Sequence, residues 1–127
     1  MSDLIVELGG DKTVFCRPPY GAYSEKVIEA LNTPIILWSV DTQDWKNKDA
    51  KHIAKYIRKT AKDGDIVLLH EIFETSVDGV LLAIEEMQKE GFLFVTTEEL
   101  LLRDGGHIDS KSVYKSKRVT DIETLLP

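Results

Sequence analysis

The sequence has 127 residues, 43% of them apolar and 30% charged, which is typical of one folded domain with a hydrophobic core. Its 16 basic and 22 acidic side chains give a net charge of -6, which excludes the overall positive field that attracts nucleic acid or anionic membranes. The only cysteine, Cys16, excludes an internal disulfide and a multi-cysteine zinc site. No apolar stretch of about 18 residues and no leader pattern is present, so the chain is expected neither to cross a membrane nor to export itself.

Apolar segments of strand length alternate with segments of helical period, and this pattern predicts four βα units around a parallel sheet. The first unit comprises a strand at Thr13–Cys16 and a helix at Glu25–Leu31 that Ser24 caps. The second comprises a continuously apolar strand at Pro34–Val40 and an amphipathic helix that begins at Asp49. The inward positions of that helix are Ile53, Ile57 and Ala61, and its outward basic residues are Lys51, Lys55, Arg58, Lys59 and Lys62. We interpret the basic face as a solvated surface.

The third unit comprises a strand at Asp65–Leu69 and a helix that follows Ser76 and ends at Gly91. Apolar residues at three-and-four spacing predict the core-facing positions of that helix, which are Val77, Val80, Leu81, Ile84 and Met87.

The fourth unit comprises a strand at Phe92–Val95 and a last short helix, whose start is marked by a capping box of Thr96 and Glu99. Residues 107–127 are polar and weakly patterned. We predict that they form an extended tail with one helical turn at Ile122–Leu126.

Polar and aromatic residues follow three of the predicted strands at their carboxyl ends. The first strand leads into Arg17–Gly21, the second into Asp41–Trp45, and the third into His70 and Glu71. Because the carboxyl ends of parallel strands converge on one rim, these side chains are expected to meet at one site.

The loop at Arg17–Gly21 has an unusually restricted backbone. Pro18 and Pro19 fix φ, and Gly21 permits a backbone geometry that other residues avoid. The loop is therefore expected to hold Arg17 rigidly and to aim the amide of Tyr20 at an oxygen of a bound molecule.

Each candidate also has a structural explanation. A salt bridge with a loop carboxylate accounts for Arg17, a contact with the core accounts for Trp45, and a hydrogen-bonded core histidine accounts for His70. Asp44 is a candidate second site carboxylate beside Asp41, but one of the two is expected to cap the loop.

Three motifs in this order resemble those of the polysaccharide deacetylases of the NodB-homology type, also called family-four carbohydrate esterases. They are the Arg-Pro-Pro-Tyr-Gly loop at Arg17–Gly21, the Asp-Thr-Gln-Asp-Trp loop at Asp41–Trp45, and Leu-His-Glu at Leu69–Glu71. The resemblance covers roughly residues 8–115. It implies an α/β fold in which parallel βα units form about half of a distorted (β/α) barrel.

The resemblance also implies roles for individual residues. His70 would be the catalytic acid that protonates the leaving amine when an acetamide C–N bond is hydrolysed. Asp41 would orient His70 and favour its protonated form, and Arg17 would contact acidic residues of the site. The backbone amide of Tyr20 would stabilise the oxyanion, an interaction worth about 3 kcal/mol. The implied pocket walls are Trp45 and Leu69.

The family's reaction further uses a divalent metal, with zinc expected, bound by an Asp-Asp-Gly-Pro motif and a His-x-x-x-His helix. Neither motif occurs in the 127 residues, so these metal ligands are absent from the chain. We therefore expect residues 1–106 to correspond to the carboxyl-terminal half of a deacetylase barrel, with 107–127 as the tail. The isolated chain is expected to be inactive.

Three functions remain open at this point. The first is part of a metal-dependent deacetylase acting on an N-acetylglucosamine polymer such as peptidoglycan or a chitin-like glycan. The second is a carbohydrate-binding remnant without catalysis. The third is an interaction protein whose exposed sheet edge pairs with another copy or with a missing amino-terminal half. For localisation, the resemblance implies the extracellular space or the cell wall.

Overall fold

The computed structural model describes residues 2–9 and 15–118, which form two compact units. The first unit contains the described residues up to Leu37 together with His107–Tyr114, and the second contains Trp38–Gly106 together with residues 115–118. The helical turn predicted at Ile122–Leu126 lies outside the described residues, as do the first two residues of the strand predicted at Thr13–Cys16.

Helices and short parallel strands follow one another along the chain. The described α-helices are α1 (Ser2–Glu7), α2 (Glu25–Leu31), α3 (Ala50–Thr60), α4 (Glu74–Lys89) and α5 (Thr97–Leu102). The described strands are β1 (Ile35–Ile36), β2 (Val40–Asp41), β3 (Val67–Leu68) and β4 (Val113–Tyr114). The predicted α/β class with parallel strands is therefore confirmed, although the strands are shorter than expected. None of the described helices has the length and apolar character that a membrane crossing requires.

In the first unit, β1 pairs in parallel with β4. The amide of Ile35 donates to the carbonyl of Ser112, and the amide of Leu37 donates to the carbonyl of Tyr114. Cys16 adds a single parallel bridge to Ile35. Within the described part of the predicted tail, Val113–Tyr114 form β4, which pairs with a strand far away in sequence. The tail as a whole stays a prediction.

In the second unit, β2 pairs in parallel with β3. The single strand predicted at Pro34–Val40 is therefore divided into β1 and β2. Ser39 explains the division: its amide and that of Val40 both donate to the carbonyl of Ile66, and its hydroxyl accepts a hydrogen bond from the amide of Ile66. A side chain thus replaces one step of the backbone ladder, as in a β-bulge.

The core of the second unit lies between α3 and α4. Its buried cluster comprises Ile53, Ala54, Ile57, Ala83 and Met87. Gly79 allows the two helices to approach closely, because a β-carbon at this position would lie 2.8 Å from the Ile53 side chain.

The buried stripe of α4 differs from the predicted one. Its members are Ser76, Gly79, Ala83 and Met87. Val77 and Leu81 were predicted to face the core, but they are 39% and 57% exposed. The helix also begins at Glu74, two residues before Ser76, because Ser76 turns inward instead of capping it.

The helix starts that depend on local sequence are confirmed. Ser24 accepts a hydrogen bond from the amide of Val27, and Thr96 and Glu99 form the predicted capping box. Asp49 accepts from two amides in the first turn of α3. Helix α1 was not anticipated.

The strand predicted at Phe92–Val95 is wrong. This segment pairs with no strand among the described residues, and the amide of Phe92 instead closes the end of α4 by donating to the carbonyl of Met87. The side chains that follow are exposed, at 87% for Leu93, 44% for Phe94 and 49% for Val95.

Candidate active site

The centre of the site in the second unit is a pair formed by His70 and Asp44. His70 follows β3 and Asp44 follows β2, and because these two strands are parallel neighbours, both residues lie at the same edge. The ring Nδ1 of His70 lies 2.8 Å from Oδ1 of Asp44, and the backbone amide of His70 donates to Oδ2 at 2.6 Å. The Asp44 side chain is fully buried, whereas the imidazole is 42% exposed.

Ser76 supplies a further hydrogen bond to this carboxylate. Its hydroxyl donates to Oδ2 of Asp44 at 2.6 Å, and Ser76 itself is 1% exposed. Burial by itself raises the pKa of Asp44, but the hydrogen bonds from Ser76 and from the ring and amide of His70, with attraction to that ring, outweigh burial. The pKa of Asp44 is therefore lowered, and the group is ionised at neutral pH.

An ionised carboxylate only accepts hydrogen bonds, so the proton between the two side chains belongs to Nδ1 of His70. The other ring nitrogen, Nε2, has no hydrogen-bond partner among the described residues of this unit. The arrangement leaves Nε2 of a half-exposed ring without a protein partner in the described part of this unit, while a buried anion holds the ring through Nδ1.

The structure corrects the role assigned to Asp41. Its Oδ1 accepts from the amide of Gln43 at 3.0 Å, so it caps the turn of its own loop. Gln43 has a φ of 51°, and the chain turns there before Asp44 reaches the end of β3. The carboxylate that contacts His70 is therefore Asp44. The sequence offers both carboxylates in one loop and contains no signal that separates them.

Other residues of the second unit complete the surroundings of the pair. Thr42 is buried and donates to the carbonyl of Leu68 at 2.9 Å, which ties the loop after β2 to β3. The ring of Phe73 meets the His70 ring edge-on, with centroids 6.4 Å apart, and Nζ of Lys48 lies 4.6 Å from the centroid of Phe73. Ser76, Phe73 and Lys48 were not recognised from the sequence.

Two predicted pocket residues also belong to this unit. Trp45 is 55% exposed and follows Asp44 directly, and Leu69 is half-buried directly before His70. Their assignment as pocket walls stays a prediction.

Arg17 and Tyr20 lie in the first unit. Gly21 has a φ of 67°, which confirms the prediction that glycine permits this loop geometry. Tyr20 also has a positive φ, of 59°, and such a conformation in a non-glycine residue is typical of functional sites. Its amide has no acceptor among the described residues of its unit, and neither does the exposed guanidinium of Arg17. The roles of both residues stay predictions.

The described residues do not fit a metal site. Nowhere in residues 2–9 and 15–118 do three histidine, cysteine, aspartate or glutamate side chains gather as a metal ion requires. Both oxygens of Asp44 are already occupied by donors from His70 and Ser76.

Comparison with known proteins identifies relatives of this chain. It is 43% identical over 84 residues to the peptidoglycan-N-acetylglucosamine deacetylase PgdA of Listeria monocytogenes, a match that covers 66% of this chain and 18% of the relative. The solved structure titled "T48 deacetylase with substrate" superimposes with a TM-score of 0.80 at 32% identity, covering 90% of this chain and 56% of that one. The chain is a relative of the NodB-type polysaccharide deacetylases.

A further structural relative of this deacetylase family is the family 4 acetyl xylan esterase of Clostridium thermocellum in complex with a cobalt ion. Its TM-score is 0.79 at 26% identity, and the match covers 93% of this chain and 60% of that one. The chain thus spans little more than half of these solved relatives and less than a fifth of the Listeria protein. No family model matches the sequence.

Proposed function

We propose that this chain supplies the acid-bearing part of a deacetylase that hydrolyses the acetamide C–N bond of N-acetylglucosamine residues in peptidoglycan or a similar polysaccharide. The observation that carries the proposal is the half-exposed imidazole of His70, held through Nδ1 by the buried Asp44. The Listeria relative is named a peptidoglycan-N-acetylglucosamine deacetylase, and this supports the substrate class.

His70 would act through Nε2. In its protonated form the ring donates the Nε2 proton to the nitrogen of the leaving amine as the C–N bond breaks, and the ring returns to its neutral form. Asp44 stabilises the cation beforehand and holds the ring in one orientation, because it is ionised and contacts Nδ1 directly. After this transfer the neutral ring still carries its Nδ1 proton.

The remaining predicted residues would bind and orient the substrate. The amide of Tyr20 would donate to the oxyanion, which is consistent with its restricted loop and its lack of an acceptor within its unit. Arg17 would contact acidic groups of the site, and Asp41 would shape the loop that carries Asp44. Trp45 and Leu69 would wall the pocket.

We further propose that the divalent metal of this reaction is held by residues outside this chain, zinc being the expected ion. The parallel βα units would then form about half of a distorted (β/α) barrel, with the extracellular space or the cell wall as the place of action. The isolated chain would be inactive.

The proposal is tested with a chimera in which this chain replaces the matching segment of the Listeria deacetylase. Acetate release from N-acetylglucosamine oligomers is measured with added zinc or cobalt, and release from an acetylated xylan in the same assay separates amide from ester substrates. We expect activity in the chimera and none in the chain alone. His70→Ala is expected to lower the rate at least about 100-fold, the usual contribution of a general acid.

His52→Ala is the matched control, because this histidine is exposed on α3 and makes no contact with the site. A folded chimera in which His70→Ala keeps the full rate would contradict the proposal. Acetate release by the isolated chain would contradict its inactivity. Binding of the oligomers that survives both chelator and His70→Ala would favour the carbohydrate-binding remnant.

A second candidate function, an interaction protein, is favoured by the segment at Leu93–Val95. It is apolar and exposed, and its backbone makes no hydrogen bond among the described residues. Such a segment can add a strand from a second copy or from an amino-terminal half of a barrel. A monomeric mass by light scattering together with a cooperative melt would count against this candidate.

A further inference from the structure

Asp44 receives three hydrogen bonds, and they come from only two residues. Two of the donors, the ring Nδ1 and the backbone amide, belong to His70 itself. The third is the hydroxyl of Ser76. Ser76 is thus the one described residue that anchors the carboxylate to something other than the histidine it orients.

We propose that Ser76 is a positioning residue: it fixes the Asp44 carboxylate and thereby keeps His70 in the tautomer that carries its proton on Nδ1. This inference rests on the proposed function for its relevance to the reaction, because only that tautomer leaves Nε2 free to receive and deliver a proton.

The carboxylate has one soft rotation, about the bond between its β-carbon and its carboxyl carbon. Ser76 and the His70 amide both donate to Oδ2 at 2.6 Å, which leaves Oδ1 directed at Nδ1. Without the serine hydroxyl, Oδ2 keeps a single donor, and the rotation of the carboxylate plane is less firmly restrained. The ring is then free to exchange its Nδ1 contact for water, since it is 42% exposed.

Ser76 is itself held by the core. It lies on the buried stripe of α4, three residues before Gly79, where α4 approaches Ile53 of α3. Its amide donates to the carbonyl of Phe73 at 3.0 Å, so its backbone is fixed in the first turn of the helix. The hydroxyl therefore connects the site to the packed interface between α3 and α4.

The test measures the tautomer of His70 directly by NMR on the full 127-residue chain labelled with ¹⁵N-histidine, at a pH where the imidazole is neutral. The chain has three histidines, and the exposed His52 and His107 serve as internal references. Wild type is expected to show protonated Nδ1 and unprotonated Nε2 at His70. Ser76→Ala is expected to lose this single form and to show a mixture with the Nε2-protonated tautomer.

Ser76→Thr keeps the hydroxyl and is expected to restore the single tautomer. Thr75→Ala is the matched control. Thr75 is the neighbour of Ser76 in sequence, and its side chain makes no hydrogen bond among the described residues. A folded Ser76→Ala chain whose His70 signals coincide with those of wild type overturns the proposal. If thermal melting shows that Ser76→Ala does not fold, the His70 tautomer is measured in Ser76→Cys instead. Cysteine keeps the volume of the side chain but is only a weak donor, so the same mixture of tautomers is expected.

The readout does not depend on acetate release, so the two proposals can fail separately. An inactive chimera with a normal His70 tautomer would contradict the proposed deacetylase and leave the role of Ser76 intact. An active chimera in which Ser76→Ala changes neither the tautomer nor the rate would contradict the positioning role alone.

Discussion

Two buried aspartates at opposite ends of β3 are held in similar ways but by different partners. Asp65, at the amino end, accepts from the Ser39 hydroxyl, from the amide of Lys62 and from Nε of Arg118 at 2.5 Å. At the carboxyl end, Asp44 accepts from a serine hydroxyl, a backbone amide and a histidine ring.

For Asp65, burial again raises the pKa, and the hydrogen bonds from Arg118, Lys62 and Ser39 with the attraction to Arg118 outweigh it, so the pKa is lowered. The difference lies in the cation. A guanidinium stays charged at every relevant pH, whereas an imidazole gains and loses a proton near neutrality. The amino end thus carries a permanent ion pair between Asp65 and Arg118. At the carboxyl end, the partner of Asp44 is a histidine, a residue type that can exchange protons. A buried, ionised carboxylate thus occurs at both ends of β3, and the partner residue is what distinguishes the two.

The largest expected effect on stability comes from removing the ion pair between Asp65 and Arg118. Asp65→Ala leaves Arg118, Ser39 and the Lys62 amide without their shared acceptor, so the free energy of unfolding should fall by about 3 kcal/mol. That value lies at the lower end for a buried pair, because the Arg118 side chain is 43% exposed. Urea unfolding at pH 7 measures the loss.

Asp63→Ala is the matched control from the same loop. Its carboxylate pairs with Arg103 but is 68% exposed, so the expected cost is about 0.5 kcal/mol. Equal losses for the two variants would show that burial of Asp65 contributes nothing.

A smaller effect is expected at the carboxyl end, where Asp44→Asn should cost about 2 kcal/mol at pH 7, since a neutral amide replaces the charged acceptor of three hydrogen bonds. The pH dependence of the unfolding free energy tests the two aspartates further. A lowered folded pKa means that the stabilisation is present above the unfolded value, near pH 4, and disappears as the pH falls through the folded value.

Unfolding free energies at pH 6 and pH 3 should therefore differ more in wild type than in Asp44→Asn or Asp65→Asn. Parallel curves for wild type and both variants would contradict the lowered pKa values of these two groups.

The parts of the fold that depend on neighbouring residues were predictable. The caps at Ser24, Asp49 and Thr96 act within one helical turn, so the sequence contains all the information that they require. The strands depended on distant partners. The pairing of β1 with β4 joins segments far apart in sequence, and the hydroxyl of Ser39 ends the ladder of one predicted strand.

The candidate site shows the same division. His70 and the loop after β2 were predictable because polar residues at the carboxyl ends of parallel strands stand out from apolar ones. The choice of Asp44 over Asp41 depends on the turn at Gln43, and the inward direction of Ser76 depends on the packing of α4. Neither has a local signature, since serine near a helix start usually indicates a cap.

The most direct test of the central claim, that Asp44 holds His70, compares Asp44→Asn with Asp41→Asn by the ¹⁵N signals of the His70 ring. In Asp44→Asn the fixed amide of His70 should take the one remaining oxygen, so the side-chain NH₂ should face the ring and reverse the tautomer to Nε2-protonated. Asp41→Asn should leave the Nδ1-protonated form unchanged. A reversed tautomer in Asp41→Asn with a wild-type spectrum in Asp44→Asn would contradict the claim.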